Sequence, residues 1–179
     1  MLLLKIPPLE LFNDVTQEFI SLKGMTLQLE HSLVSLSKWE SRWNKPLLST
    51  EKTDEETVDY IRCMSMTQNV DPLIFRYLPA EAYSKIDTYI NEKMTATWFT
   101  DHENTKKSRE VITAELLYYW MITFNIPMEC QKWHLNRLLT LIRVCDVKSQ
   151  KPKKMSRKDA LANRRSLNAA RRSKLNSKG

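Results

Sequence analysis

The sequence predicts an α+β fold that is mainly α-helical, with a small N-terminal β-hairpin region packed on a helical body and a basic C-terminal tail. Three observations support this prediction. Apolar and polar residues alternate in parts of the first thirty residues, capped stretches of helical period follow, and the charge changes abruptly after Val147. Five Trp, six Tyr and five Phe supply enough large side chains to anchor a folded core.

The N-terminal strands are predicted from alternation and from one turn. Residues 2–6 are apolar enough to form a first strand, and residues 25–29 alternate between apolar and polar side chains. Lys23-Gly24 separates residues 19–22 from residues 25–29. This arrangement predicts a two-residue hairpin turn between those two strands, with Gly24 at a positive φ.

From residue 31 onwards the pattern is helical. We predict helices from His31 or Ser32 to Trp43, from Thr53 onwards, from Pro79 to Ile90, from Ser108 to Asn125 and from Pro127 to Val147. The last two are apolar on nearly all sides, so we expect them to form the central antiparallel pair of the core. Residues 70–78 are expected to be irregular, and residues 94–99 to form a short strand or extended segment.

The charge distribution divides the chain into a domain of residues 1–147 and a tail of residues 148–179. The first part contains sixteen basic and twenty acidic residues, a net charge of −4. The second contains twelve basic residues and one acid, Asp159, a net charge of +11. Binding of any polyanion is therefore expected in the tail and not on the body.

The basic residues of the tail recur in pairs every seven residues. Because seven residues of a helix return to nearly the same direction, the pairs would line one face of a helix that begins near Ser156. The candidate partner-binding residues are Arg157, Lys158, Arg164, Arg165, Arg171 and Arg172. With no broad apolar face, this helix is not expected to be stable in isolation.

Glycine and cysteine usage excludes several classes of function. Gly24 and Gly179 are the only glycines, too few to build a phosphate-binding loop of the nucleotide-binding enzymes. Three widely spaced cysteines favour a reducing compartment over a disulfide framework. The N-terminal apolar run is too short for a signal peptide, and the apolar stretch of residues 116–127 is too short to span a bilayer. We therefore expect an intracellular protein that does not insert into membranes.

Cys130 and His134 are the best candidates in the sequence for a metal or catalytic site. Four residues apart on one predicted helix, they have a spacing that metal ligands or a nucleophile and its base could use. Cys63, Cys145 and His102 would have to converge on them, and an apolar helix does not favour a thiolate. Buried structural side chains explain the pair better, so we predict no metal, no cofactor and no enzymatic activity.

The remaining polar and aromatic features leave alternatives open. The last body helix has a polar strip that is either a solvated face or a docking surface: His134, Asn136, Arg137, Thr140 and Arg143. Trp39 and Trp43 are expected in the core. The tail either keeps the protein soluble, contacts nucleic acid through phosphates, or folds on an acidic or helical protein partner. No aromatic residues stand among its basic residues, which argues against stacking on bases.

Three segments resemble the tail assembly chaperones of tailed bacteriophages. They are LEHSLVSLSKWES at residues 29–41, residues 112–145, and the basic run of residues 153–174. The similarity covers most of the chain but lies in overall pattern, since that family has no universal motif. It therefore implies a role and not individual binding residues.

The resemblance implies a non-enzymatic helper in the cytoplasm of a bacterial host. Such proteins bind the long helical tape-measure protein during tail assembly, are absent from the finished virion, and are often also made in a longer, frameshifted form. The tail charge of +11 exceeds what the resemblance implies. It leaves an alternative open, a nucleic-acid-associated structural protein of the virion head or tail.

Overall fold

A computed structural model describes residues 1–13, 17–99, 110–149 and 157–175, with only the backbone at residues 13, 159 and 160. The chain divides into two compact units, Met1–Asp146 and Val147–Gly179. Four strands at the N-terminus are followed by helices, which confirms the predicted α+β, mainly helical class.

The first four elements are strands that form two separate antiparallel pairs. They are β1 (Leu2–Ile6), β2 (Leu9–Asn13), β3 (Glu18–Leu22) and β4 (Met25–Leu29). Strand β1 pairs with β4, and β2 pairs with β3. The predicted hairpin between β3 and β4 is therefore wrong, and β2 was not predicted. The β1–β4 pairing buries alternate leucine and isoleucine side chains of both strands on one face, which fixes the register.

Gly24 has a different role from the predicted one. No described glycine has a positive φ. A Cβ atom at Gly24 would instead lie 3.0 Å from both Cδ and the backbone nitrogen of Pro8, and 3.1 Å from the carbonyl oxygen of Ile6. Glycine is needed here because the β3–β4 connection passes close to the β1–β2 connection.

Seven α-helices follow among the described residues. They are α1 (Leu33–Trp43), α2 (Asp54–Met64), α3 (Pro72–Arg76), α4 (Ala80–Asn91), α5 (Ala114–Thr123), α6 (Leu135–Ser149) and α7 (Arg157–Leu175). A 3-10 helix, Met128–Lys132, precedes α6. The predicted positions of α1, α2 and α4 are confirmed. Residues 70–78 are more regular than predicted because Asp71 caps α3 through the backbone N–H of Leu73.

Two predicted helices are shorter than expected. Helix α5 begins at Ala114, where Thr113 is the N-cap, and the predicted start at Ser108 lies outside the described residues. The helix predicted from Pro127 to Val147 is interrupted at Trp133 and His134. The backbone is extended there: Ser32 and His134 form a β-bridge, and the N–H of Leu135 donates to the carbonyl oxygen of His31 at 2.7 Å.

The core is centred on α1 and not on the predicted α5–α6 pair. Helix α1 packs closely against α2, α5 and the 3-10 helix. Leu33, Leu36 and Trp39 on α1 are fully buried. Helix α5 is apolar on nearly all sides, but it is not buried on all sides, since Tyr119 and Ile122 are exposed.

The segment after α4 is not a strand. Among residues 94–99 the structure has bends and irregular backbone, with Met94 at φ 50°. The ammonium of Lys93 lies 4.1 Å from the ring centre of Trp98, and the guanidinium of Arg143 lies 4.3 Å from that of Phe99. Cation–π contacts, and not strand pairing, therefore involve both aromatic rings of this segment.

Candidate docking helix and a buried polar cluster

The sequence of α7 explains why it is helical. Its 19 residues contain no Gly, Pro or β-branched residue, and most are Ala, Leu, Arg, Lys or other residues that tolerate a helix well. Arg172 and Lys174 lie in the last turn, where positive charge favours the helix dipole. Ser156, the predicted start, lies outside the described residues.

The six predicted partner-binding residues share one face of α7. On a helix that turns about 100° per residue, the six side chains fall within an arc of about 140°. They form two lines along the axis: Arg157, Arg164 and Arg171 in one, and Lys158, Arg165 and Arg172 in the other. We call the side of α7 that lies within this arc the cationic face. The structure thus brings together all the candidate residues that the spacing predicted.

The cationic face is open to solvent. All six of its basic side chains are exposed, and none forms an ion pair with an acidic side chain that the structure describes. Seven basic residues lie in α7 and one acid, Asp159. Concentrated positive charge raises the potential along one side of the helix and attracts acidic partners.

A buried polar cluster lies in the first unit, at the junction of α1, α2, α4 and α6. The imidazole rings of His31 and His134 are 5.1 Å apart. His31 Nδ1 is 2.5 Å from the hydroxyl of Tyr60, and His134 Nε2 is 3.0 Å from the carbonyl oxygen of Tyr89. Both histidines are almost fully buried.

The hydrogen bonds indicate which ring nitrogen of each histidine donates and which accepts. A carbonyl oxygen only accepts, so His134 carries its proton on Nε2, and its buried Nδ1 has no hydrogen-bond partner. Burial, and secondly the neighbouring His134, lower the pKa of His31 from 6.5 to about 4. Burial also raises the pKa of Tyr60, so its hydroxyl donates to His31 Nδ1. The His31 ring is therefore neutral at pH 7.

The sequence did not reveal this cluster. His31 was predicted only as a possible helix cap, although Ser32 is the N-cap of α1 and makes a capping box with Ser35. His31 and His134 are 103 positions apart in the printed sequence, and no short motif connects them. Only the folded chain brings them together.

Cys130 and His134 do not share a helix, which corrects the predicted arrangement. Cys130 lies in the 3-10 helix and His134 in the extended break before α6. Both are buried, and the thiols of Cys63 and Cys145 are also free. Among the described residues no three His, Cys, Asp or Glu side chains are grouped to hold a metal ion. His102 lies outside the described residues.

The polar strip on α6 is partly structural. The side-chain amide of Asn136 donates to the carbonyl oxygens of Ile90 and Glu92, both at 2.9 Å, and so fixes the C-terminal end of α4. The guanidinium of Arg137 lies 4.1 Å from the ring centre of Trp133. Asn136 therefore has a packing role, whereas the side chains of Arg137 and Arg143 are exposed.

A groove of about 1190 Å³ lies beside α1, α2 and α3 and carries charges of both signs: Arg42, Arg62, Arg76, Asp54, Glu55 and Asp59. Asp59 is held on both oxygens, one by Arg42 and the other by the indole N–H of Trp43 at 2.9 Å. Trp43 is therefore half-buried against α2, whereas Trp39 is fully buried.

No protein-family model, curated protein or solved structure matches this chain. The geometry of α7 and of the first unit therefore carries the functional conclusion. Within the described ranges, no helix combines the length and apolar character needed to cross a membrane. Helix α7 has the length, but its seven basic residues make it strongly polar.

Stability of the first unit is expected to fall as the pH falls from about 6.5 to 4 because of His31. The unfolded chain binds a proton near pH 6.5, whereas the folded chain binds it only near pH 4, so each step down in pH favours unfolding. The full loss is roughly 3 kcal/mol. Urea denaturation between pH 7 and 4.5 should show this slope in the wild type and a smaller one in His31→Asn.

A second measurement covers the case in which His31→Asn does not fold. The His31 C2 proton, followed by NMR in the wild type, should titrate near pH 4 and not near 6.5. Glu56 also lowers the stability as the pH falls, because its bond to Lys45 lowers the pKa of its carboxyl below 4.5. This contribution is lost at a more acidic pH than that of His31. A His31 resonance that titrates near 6.5 would contradict the assignment.

Proposed function

We propose that this chain is a non-enzymatic assembly factor that holds another protein through the cationic face of α7. The observation that supports this best is the continuous exposure of that face along a 19-residue helix. A helix with charges aligned along one side presents them to a partner in a fixed pattern. A tail that served only solubility would gain nothing from such alignment.

The buried and half-buried polar groups of the first unit make structural contacts, and this supports a binding role. Glu40 accepts backbone N–H groups from two other segments, Glu56 is paired with Lys45, and Asp59 bonds Arg42 and Trp43. His31 and His134 hold helix junctions. Each of these buried or half-buried groups is engaged in keeping elements together.

Within that role, we propose a tail assembly chaperone of a tailed bacteriophage, acting in the host cytoplasm, with the tape-measure protein as partner. The resemblance of residues 29–41, 112–145 and 153–174 to that family supports the choice. A long helical partner also suits a helical docking element, because two helices make a contact that extends along both axes.

A nucleic-acid-associated virion protein is the second candidate. The net charge of +11 beyond Val147 favours it, since phosphates bind clustered Lys and Arg without requiring any further recognition. The two candidates differ in two respects: whether the chain remains in the finished particle, and what its tail binds.

The test compares the wild-type chain with two variants of α7 in cells in which particles assemble. One variant scrambles residues 157–175 at constant composition, and the matched control permutes only the residues outside the cationic face. We expect the wild type and the control to co-purify with one long helical protein, and the scrambled chain to bind at least about tenfold more weakly. Mass spectrometry of finished particles should find the chain absent or at trace level.

Two results would contradict the proposal. Equal binding by the scrambled chain would show that net charge alone matters. A stoichiometric amount of the chain in finished particles would favour the virion role. In that case binding to duplex DNA should fall steeply with salt, with a log–log slope near −0.9 for each phosphate neutralised.

A further inference from the structure

We infer that α7 docks as one strand of a two-helix coiled coil with an acidic helix of a different protein, along a seam of Leu161, Asn168 and Leu175. This inference rests on the proposed function and names the partner class for the same helix. It comes from residues that lie inside the cationic face but are not themselves charged.

The seam has the seven-residue spacing of one position of a coiled-coil heptad. Leu161, Asn168 and Leu175 are seven residues apart, so they follow one line along α7. Leu161 is 51% exposed and Leu175 is 75% exposed. At about 100° per residue this line falls between the two lines of basic side chains, about 40° from one and 60° from the other.

In heptad notation the basic residues take the positions that decide pairing. With the seam at position d, position a holds Lys158, Arg165 and Arg172, and position g holds Arg157, Arg164 and Arg171. Position e holds Ala162 and Ala169, whose small side chains allow a second helix to approach closely. A partner helix would thus contact leucine at its centre and positive charge on both sides.

A second copy of α7 does not fit this face. In a parallel pair, position a of one helix packs against position a of the other, which would place Lys158, Arg165 and Arg172 against themselves. Like charges in contact across a seam oppose association and select against the wrong partner. The complementary helix has Leu at its own d positions and Glu or Asp at its a and e positions.

The leucines favour a helix over phosphates as the partner. A phosphate backbone offers the cationic face charge complementarity, but it has no apolar surface to cover Leu161 and Leu175. A helix offers both, because leucine at its d positions buries these side chains while flanking acids pair with the basic lines. Asn168 lies between the two leucines.

The experiment titrates the full chain with a synthetic acidic helix of about 21 residues, or three heptads. The probe has Leu at d, one Asn opposite Asn168, and Glu at a and e. A second peptide has the same composition in scrambled order. We expect the patterned peptide to bind at least about tenfold more tightly than the scrambled one, measured by fluorescence anisotropy.

The third leucine of α7 supplies the matched control. Leu167 is 54% exposed, close to Leu161, but it lies outside the cationic face. The double change Leu161→Gln and Leu175→Gln should weaken binding of the patterned peptide at least about tenfold, whereas Leu167→Gln should leave it unchanged. Glutamine keeps a helix propensity near that of leucine, so α7 itself is retained.

The possible results distinguish a failure of the inferred seam from a failure of the proposed function. If the Leu161/Leu175 variant binds the patterned peptide as tightly as the Leu167 variant does, the seam is wrong, while charge-dependent protein docking stands. If the chain prefers duplex DNA or anionic vesicles to both peptides, the seam and the proposed protein partner both fail. If the full chain self-associates through α7 at micromolar concentration, the seam pairs with a second copy and the inferred partner class is wrong.

Discussion

Replacing Trp39 by alanine should lower the free energy of unfolding of the first unit by roughly 3–5 kcal/mol, because the side chain is fully buried at the centre of the core. Its indole N–H also donates to the carbonyl oxygen of Glu56 at 2.9 Å, which joins α1 to α2. The substitution leaves a large cavity and removes this hydrogen bond between α1 and α2. Urea denaturation followed by circular dichroism measures the change.

Two variants serve as controls for Trp39→Ala. Trp39→Phe keeps most of the ring volume and removes the hydrogen bond, so its cost should be clearly smaller. Trp98→Ala removes an indole that is 73% exposed and should change the unfolding free energy little. If Trp98→Ala costs as much as Trp39→Ala, α1 is not the centre of the core.

The sequence predicted the parts of this fold that depend on neighbouring residues. Helix α2 is an example, because its capping box is complete within four residues. The N–H of Glu56 donates to Thr53 Oγ1 at 3.3 Å, and Glu56 Oε2 accepts the N–H of Thr53 at 2.9 Å. The starts of α1, capped by Ser32, and of α4, which follows Pro79, depend equally on local sequence, so their positions were also predicted.

Pairing between distant segments was not predictable in the same way. Apolar character marked β1 as a strand and alternation marked β4, but neither told which strand each would pair with. Gly24 was predicted as a turn residue. Glycine is needed there because the chain passes close to Pro8, which lies in the connection between β1 and β2. The apolar sequence of α5 and α6 suggested the core centre, whereas the less apolar α1 occupies it because more elements pack around α1.

The candidate site was predictable to the extent that it consists of one helix. Seven-residue spacing determines which side chains share a face, and the structure places all six basic residues as the spacing indicated. The identity of the partner depends on another molecule and stays a prediction. The His31–His134 cluster was missed because it joins segments far apart in the sequence.

Glu40 is a buried acid on α1 that connects three parts of the first unit. Oε1 accepts the backbone N–H of Leu47 at 2.8 Å, and Oε2 accepts the N–H of Ala114 at 2.7 Å. The first bond holds the connection between α1 and α2. The second satisfies the N–H of the first residue of α5, where a negative charge also favours the helix dipole.

Glu40→Ala should therefore cost roughly 2–5 kcal/mol in unfolding free energy, because it leaves two buried N–H groups without acceptors. Glu40→Gln should cost less than Glu40→Ala, since its amide oxygen still accepts one N–H while its NH₂ group faces the other donor. Glu51→Ala removes an exposed acid and should change the unfolding free energy little. Hydrogen exchange adds a local measurement, in which Glu40→Ala should speed exchange of the Leu47 and Ala114 amides more than that of α4. Uniform acceleration throughout the first unit, or a cost equal to that of Glu51→Ala, would show that Glu40 does not tie α5 to α1.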